Sequence, residues 1–161
     1  MIEESGIAYT FLRPNAFMQN FVNFYSHTIK EQGALSLPAG DGKVSFVDAR
    51  DIAAVAVQAL TNNNGKHNSK TYDITGPEAI SYDEAVNILS EQVGKKISYV
   101  KVSKDDAFKA MKDIGLDDWL IITILEGYNN LRQVYFSPVT TVVREFTGKK
   151  PIFSKSSQRI T

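Results

Sequence analysis

The chain has 161 residues, with 18 Lys plus Arg against 18 Asp plus Glu, so its formal net charge is zero. A surface that neutralises many phosphates shows a basic excess, so broad electrostatic binding of nucleic acid is argued against. Cysteine is absent, which excludes a disulfide scaffold, a thiol nucleophile and a thiolate metal site and agrees with a cytoplasmic protein.

In chain order, Met1 to Ser5 reads as the last turn of a helix, acidic at Glu3-Glu4 and without a signal-peptide core. Ile7 to Leu12 is a continuous apolar, β-prone run, predicted as a strand buried on both faces in the manner of parallel sheets. Met18, Phe21, Val22, Tyr25 and Ile29 recur at three- and four-residue spacing, which predicts one helix with an apolar stripe, ended by Gly33. Leu35 to Leu37 and Val44 to Val47 read as short strands, with Asp41-Gly42 between them as a hairpin-turn signal.

Asp51 is placed to cap a helix from Ile52 to Leu60 that is apolar nearly all round, and hence expected between layers. Thr61 to Ser69 reads as a surface loop, and Thr71 to Thr75 as a strand closed by Gly76-Pro77. Ser81 and Glu84 form a capping-box pattern, with Ala85, Ile88, Leu89 and Val93 on the inner face and Gly94 as the stop. Ile97 to Val102 is a further strand. Ser103 with Asp106 starts a helix carrying Phe108 and Met111 and ending near Gly115; another runs from Asp117 to about Phe136, and a short one from Thr140 to Phe146. Ser154 to Thr161 is a polar tail.

Strands alternate with helices at first, and helices accumulate after Val102, so the fold class is α/β: a sheet half followed by a helical lobe. The run from Trp119 to Leu125 is far short of the roughly 20 residues of a spanning helix, so no membrane partner is expected.

Chemistry-bearing motifs are sparse. Gly40 and Gly42 precede a strand instead of a helix, so they make a turn and no phosphate cradle. His27 and His67, the only histidines, lie in different elements and read as solvated or capping side chains, with no metal site. The adjacent acidic pairs Glu3-Glu4, Asp105-Asp106 and Asp117-Asp118 diverge around their helices. Tyr128 precedes Arg132 by one helical turn, a spacing at which the guanidinium favours a phenolate; the alternative is plain packing. Catalytic residues are not identified. The segment Arg13-Pro14-Asn15-Ala16-Phe17-Met18 stands where a strand gives way to a helix, the place where α/β sheets bind ligands. Two readings stand for it: Asn15 as a donor and acceptor to a ligand, or Asn15 as the helix cap with Phe17 and Met18 in the core.

Four pieces in fixed order carry a resemblance: Ser5 to Asn20 (SGIAYTFLRPNAFMQN), Gly40 to Ala53 (GDGKVSFVDARDIA), Tyr72 to Tyr82 (YDITGPEAISY) and Phe146-Thr147-Gly148. On them the chain resembles the NmrA-like family of atypical short-chain dehydrogenase/reductases. The resemblance implies an incomplete Rossmann-type parallel sheet half plus a small helical substrate lobe. Residues 1–75 would be the carboxyl-terminal part of a Rossmann-like domain, 76–150 the substrate lobe and 151–161 the tail. It further implies NADP or NAD as cofactor in the intact protein, with Pro14, Asn15, Ala16 and Phe17 beside the nicotinamide. Met18, Asn20 and Phe21 would edge the cleft for a small-molecule substrate such as a quinone or azo dye. The stretch matching Asp48 to Asp51 is architectural. The family's glycine-rich phosphate turn has no match in these residues, so the chain alone is expected to hold the dinucleotide weakly and to be inactive. Two alternatives accompany the enzyme reading, a non-catalytic cofactor sensor of the same family and a stand-alone domain that forms a homodimer.

Overall fold

The computed structural model describes residues 2–61 and 65–152. The predicted tail from Ser154 and the loop residues Asn62, Asn63 and Asn64 lie outside them. The chain forms two compact units: one of the residues up to Gln19, Ser45–Glu78 and those from Val139 on, the other of Asn20–Val44 and Ala79–Pro138.

In the first unit, strand β1 (Thr10–Pro14) pairs in parallel with β4 (Lys70–Ile74), in the register Thr10 to Lys70 through Pro14 to Ile74. Helix α3 (Ala49–Thr61) packs against β1 and against the short helix α7 (Val142–Thr147). Val47, Val55, Ile74 and Val143 are buried together, with Leu12, Ile52 and Phe146 around them. Three expectations change here. The strand begins at Thr10, not Ile7, and is not buried on both faces. Among the described residues it pairs with β4 alone, and Ile7 is 70% exposed. The helix begins at Ala49, because Asp48 takes the capping place: its Oδ1 accepts from the Arg50 backbone N–H at 2.8 Å. Asp51 therefore lies inside the first turn. Nor is α3 enclosed between layers, since Val57 and Leu60 remain exposed while Val55 faces the core.

In the second unit, the predicted single helix is two, α1 (Asn20–Asn23) and α2 (Ser26–Gln32), separated at Phe24-Tyr25. An apolar stripe dictates which side chains turn inward, and it survives a break in the backbone ladder; Phe21 is buried although Phe24 is exposed. Gly33, at φ 62°, closes α2 in the left-handed conformation that glycine adopts without strain. Strand β2 (Ala34–Leu37) pairs in parallel with β6 (Ser98–Lys101), and β3 (Lys43–Val44) pairs antiparallel with β5 (Ile80–Ser81). The hairpin expected at Asp41-Gly42 therefore does not form. A turn signal marks a chain reversal but not the partner, and the later strands compete successfully for both pieces. Val44 to Val47 is strand only at its start, and Val47 instead bridges Phe17.

Helix α4 (Tyr82–Val93) carries the predicted capping box in full. Ser81 Oγ accepts from the Glu84 N–H at 3.1 Å, and the Glu84 carboxylate accepts from the Ser81 N–H at 2.7 Å. Val93 is exposed and Val86 is buried in its place on the inner face. Helices α5 (Lys104–Asp113) and α6 (Asp118–Arg132) pack around Ala107, Ile121 and Leu125, with Phe108 and Met111 beside them. Ser103 caps α5 as expected, while α6 stops at Arg132, short of Phe136. The α/β class thus stands, with short parallel pairs and a helix-rich second unit. Among the described residues no helix is long and apolar enough to cross a membrane.

Candidate functional site

Parallel pairing of β1 and β4 aligns their carboxyl ends, and the chain leaves β1 there through a turn bonded on every side. The Asn15 N–H donates to the Ile74 carbonyl at 2.9 Å, which ties the turn to the end of β4. The Asn15 side chain does two jobs: its Nδ2 donates to Ser45 Oγ at 2.6 Å and its Oδ1 accepts from the Ala16 N–H at 2.8 Å. Val47 then clasps the chain, donating to the Ala16 carbonyl and accepting from the Met18 N–H, each at 2.9 Å. Gln19 Oε1 accepts from the Ala49 N–H at 3.1 Å. The turn is thereby fixed by backbone hydrogen bonds to two neighbouring segments.

Next to it, Gly76 donates its N–H to the Ser45 carbonyl at 3.2 Å. A Cβ at Gly76 would stand 1.9 Å from the Phe46 carbonyl oxygen, so only glycine fits this approach. The buried Thr75 hydroxyl accepts from the Thr140 N–H at 2.9 Å, and Thr140 Oγ1 donates to the Asp73 carbonyl at 2.7 Å. Arg13 pairs bidentately with Asp73 at 2.7 and 3.0 Å on the exposed side of the strand ends. Deeper lie two carboxylates. Arg50 donates to Asp48 and holds that carboxyl below its ordinary range against the opposing effect of burial. Burial pushes Asp51 up, only partly offset by the Ile152 N–H that donates to its Oδ2 at 2.7 Å.

Of the predicted cofactor residues, Pro14 and Phe17 are exposed while Asn15 and Ala16 are half-buried. All four sit on the one clamped turn. Asn15 is not a helix cap: α1 begins at Asn20 and the Asn15 side chain serves the turn itself. Of the predicted substrate residues, Met18 and Phe21 are buried and Asn20 is half-buried. His67 is buried and not solvated, bonded through Nδ1 to the Tyr72 hydroxyl at 2.9 Å and tilted against Phe146. Among the described residues no three His, Asp or Glu side chains converge as a metal site would require. A cavity of about 600 Å³ lies toward the amino end of β1, lined by Tyr9, Thr10, Leu12, Ala56, Leu60 and His67, away from the clamped turn.

The second unit holds an aromatic cluster that periodicity did not reveal, because its members come from separate elements. Phe21 meets Tyr25 edge-on at 5.8 Å and Tyr82 at 6.0 Å, and Tyr82 stacks on Tyr99 at 6.1 Å. The Tyr25 and Tyr128 hydroxyls lie 3.2 Å apart, and Tyr99 donates to the Gly40 carbonyl at 3.1 Å. Burial raises the Tyr128 phenol, with Tyr25 adding to the effect, so Arg132 does not make it a phenolate. The signals available in sequence were the chain's seven tyrosines and the lone polar Ser45 inside an apolar run; neither names its partners.

The NmrA-like family matches residues 1–143. An NAD(P)H azoreductase of Xenophilus azovorans is 40% identical over 148 residues, covering 92% of this chain and 51% of that protein. Prestalk A differentiation protein A of Dictyostelium discoideum is 30% identical over 152 residues, covering 94% of this chain and 50% of that protein. Among solved structures, an NADPH-dependent quinone oxidoreductase from Escherichia coli complexed with NADPH superposes with a TM-score of 0.84 at 25% identity. That superposition covers 98% of this chain and 54% of that one. The chain spans about half the length of the curated relatives it matches.

Proposed function

Because the chain belongs to the NmrA-like family, we propose that it works as the substrate-side portion of an NAD(P)-dependent oxidoreductase that reduces quinone-like or other small electrophiles. The observation that carries this reading is the turn from Asn15 to Met18, held by Ile74, Ser45 and Val47 at the carboxyl ends of two parallel strands. That is the position at which α/β sheets receive ligands. A rigid wall there lets the protein orient reactants and exclude water with few dedicated catalytic groups. When bound, a reduced nicotinamide supplies the hydride.

The residues fit one end of such a cofactor. Pro14, Asn15, Ala16 and Phe17 would hold the nicotinamide side, with the Asn15 amide acting on the turn that presents its neighbours. Met18, Asn20 and Phe21 follow in the chain and would edge the substrate. The pyrophosphate end is another matter. The close backbone approach at Gly76 is filled by Phe46, and that at Gly42 by Leu131. Dinucleotide binding by these 161 residues alone is accordingly weak. In this reading residues 76–150 are the substrate lobe, and 20–44, which share a compact unit with Ala79–Pro138, work with that part of it.

The test is NADPH- and NADH-driven reduction of naphthoquinone by the natural protein, followed as loss of the nicotinamide absorbance. Turnover is expected, and its absence with both cofactors overturns the enzyme reading. A fluorescence titration of the 161-residue chain with NADPH should show no micromolar binding. A second reading, a non-catalytic cofactor sensor, is favoured by the likeness to a protein named for differentiation and not for catalysis. Cofactor binding without turnover would select it.

A further inference from the structure

The aromatic cluster of the second unit contains two hydroxyls in contact. Tyr25 and Tyr128 meet across 3.2 Å with either oxygen able to donate, and the Tyr82 ring stands edge-on to Tyr25 at 6.4 Å. Tyr82 is buried, whereas Tyr25 and Tyr128 are half-buried, so the hydroxyl pair is the more accessible part. Among the described residues, the Tyr128 hydroxyl bonds to Tyr25 and to no other group. A phenol carries one donor and two lone pairs, so one such contact leaves hydrogen-bonding capacity at the Tyr128 end whichever way the pair is polarised. Burial raises the Tyr128 and Tyr82 phenols, which keeps both neutral and retains their protons for donation.

Aromatic rings pack around the Tyr25 member of the pair. Phe21 and Tyr82 both stand edge-on to Tyr25, and Tyr82 in turn stacks on Tyr99. Aromatic faces favour a planar ligand, and a single amphoteric hydroxyl among them favours one with an oxygen in the ring plane. A planar carbonyl compound that takes up two electrons changes the sign of what its oxygen needs. The quinone oxygen accepts a hydrogen bond, and the hydroquinone O–H formed from it donates one. A lone lysine or carboxylate satisfies one of these states; a neutral hydroxyl pair satisfies both, because its two O–H bonds can turn together.

We propose that the Tyr25–Tyr128 hydroxyl pair anchors the oxygen of a planar quinone-type ligand, donating to its oxidised form and accepting from its reduced form. The inference rests on the reading of the protein as a reductase of small electrophiles and names the group that recognises them. The pair supplies no electrons and ends with the protons it began with. Both electrons arrive as the hydride of the reduced nicotinamide, and the second proton of the hydroquinone comes from solvent.

The experiment uses the 161-residue chain with ring-labelled tyrosine, titrated under anaerobic conditions with naphthoquinone, naphthohydroquinone and naphthalene while the tyrosine resonances are followed by NMR. The Tyr25 and Tyr128 rings should respond to both oxygenated probes, and Tyr9 and Tyr135 to neither. Tyr128→Phe and Tyr25→Phe should each weaken both oxygenated probes about threefold to tenfold, the worth of one hydrogen bond, and leave naphthalene unchanged. Equal affinities in wild type and variants overturn the proposal, as does a wild-type titration in which these two rings stay still. The wild-type shifts decide the matter even if a variant fails to fold. Failure of the reductase reading is separately visible: the natural protein would bind naphthoquinone through these rings yet not oxidise NADPH or NADH with it.

Discussion

The two compact units bury their polar groups by different means. In the first, side chains answer chiefly to backbone: Asn15 to Ala16, Asp48 to Arg50, Asp51 to Ile152, Thr75 to Thr140. In the second, the Tyr25 and Tyr128 hydroxyls answer to each other, and the rings of Tyr25, Tyr82 and Tyr99 pack on one another. A backbone partner has one position, so the first arrangement fixes a wall and permits little adjustment. Hydroxyl partners can exchange donor and acceptor, so the second keeps its geometry while reversing its polarity. Rigidity suits the positioning of a cofactor, and reversibility suits a ligand whose hydrogen-bonding character changes in the reaction.

The strongest way to break this contrast is at the glycines. Gly76→Ala drives a Cβ to 1.9 Å from a backbone oxygen, and should cost about 4 kcal/mol or more in urea unfolding because no side chain can yield. Gly42→Ala meets the Leu131 side chain at 2.3 Å and its carbonyl at 2.8 Å; the side chain can turn aside and the backbone contact is milder than at Gly76, so it should cost less, about 2–4 kcal/mol. Equal costs would show that the first unit is no more rigid than the second.

An alkaline titration reads the phenols directly. Burial, with Asp41 adding to it, pushes Tyr99 up to about 12, and burial raises Tyr82 and Tyr128 as well. A phenol whose folded pKa lies above its unfolded value of about 10 contributes stability that is whole below pH ~10 and is lost as pH rises through the folded value. Tyrosinate absorbance should therefore appear late for these rings, and the second unit should lose its circular dichroism between about pH 10 and 12. Early ionisation of all tyrosines would contradict a neutral hydroxyl at Tyr128.

Smaller effects sharpen the picture of the turn. Asn15→Ala removes the bonds to Ser45 and Ala16 and should cost about 1–2 kcal/mol by urea unfolding, with faster amide exchange at Val47. Ser81→Ala, which removes one half of a helix cap in the second unit, should cost about 1 kcal/mol. The smallest change is expected at Asp51, whose raised pKa means that the buried carboxylate is charged at some expense near neutral pH. Asp51→Asn keeps an acceptor for the Ile152 N–H, and should stabilise the fold slightly at pH 7. That gain should vanish in acid, where Asp51 is itself protonated.

Local chemistry was legible in the residues. Ser81-x-x-Glu84 reads as a capping box because both of its bonds close within one turn, and the structure shows both. Gly33 and Gly94 end helices where the sequence places them. Ser5 to Asn20, Gly40 to Ala53 and Tyr72 to Tyr82 carried the family, and with it the α/β class. The turn after β1 was also legible as a place, though not as a mechanism. That Asn15 looks toward Ser45, thirty residues away, follows from no local rule.

What the tertiary structure alone decided are the pairings between distant segments. Asp41-Gly42 signals a reversal equally well whichever strands flank it, and β2 and β3 chose β6 and β5. Ile7 to Leu12 has the composition of a strand covered on both faces, but burial depends on what lies beside it, and here that is β4 on one edge. Tyr25, Tyr82, Tyr99 and Tyr128 carry no periodic signal, since hydrogen bonds between side chains depend on distance in space and not on spacing along the chain. Caps and turns are settled within a few residues, so the sequence by itself determines them; partners, burial and the meeting of two distant hydroxyls are settled only when the whole chain has closed on itself.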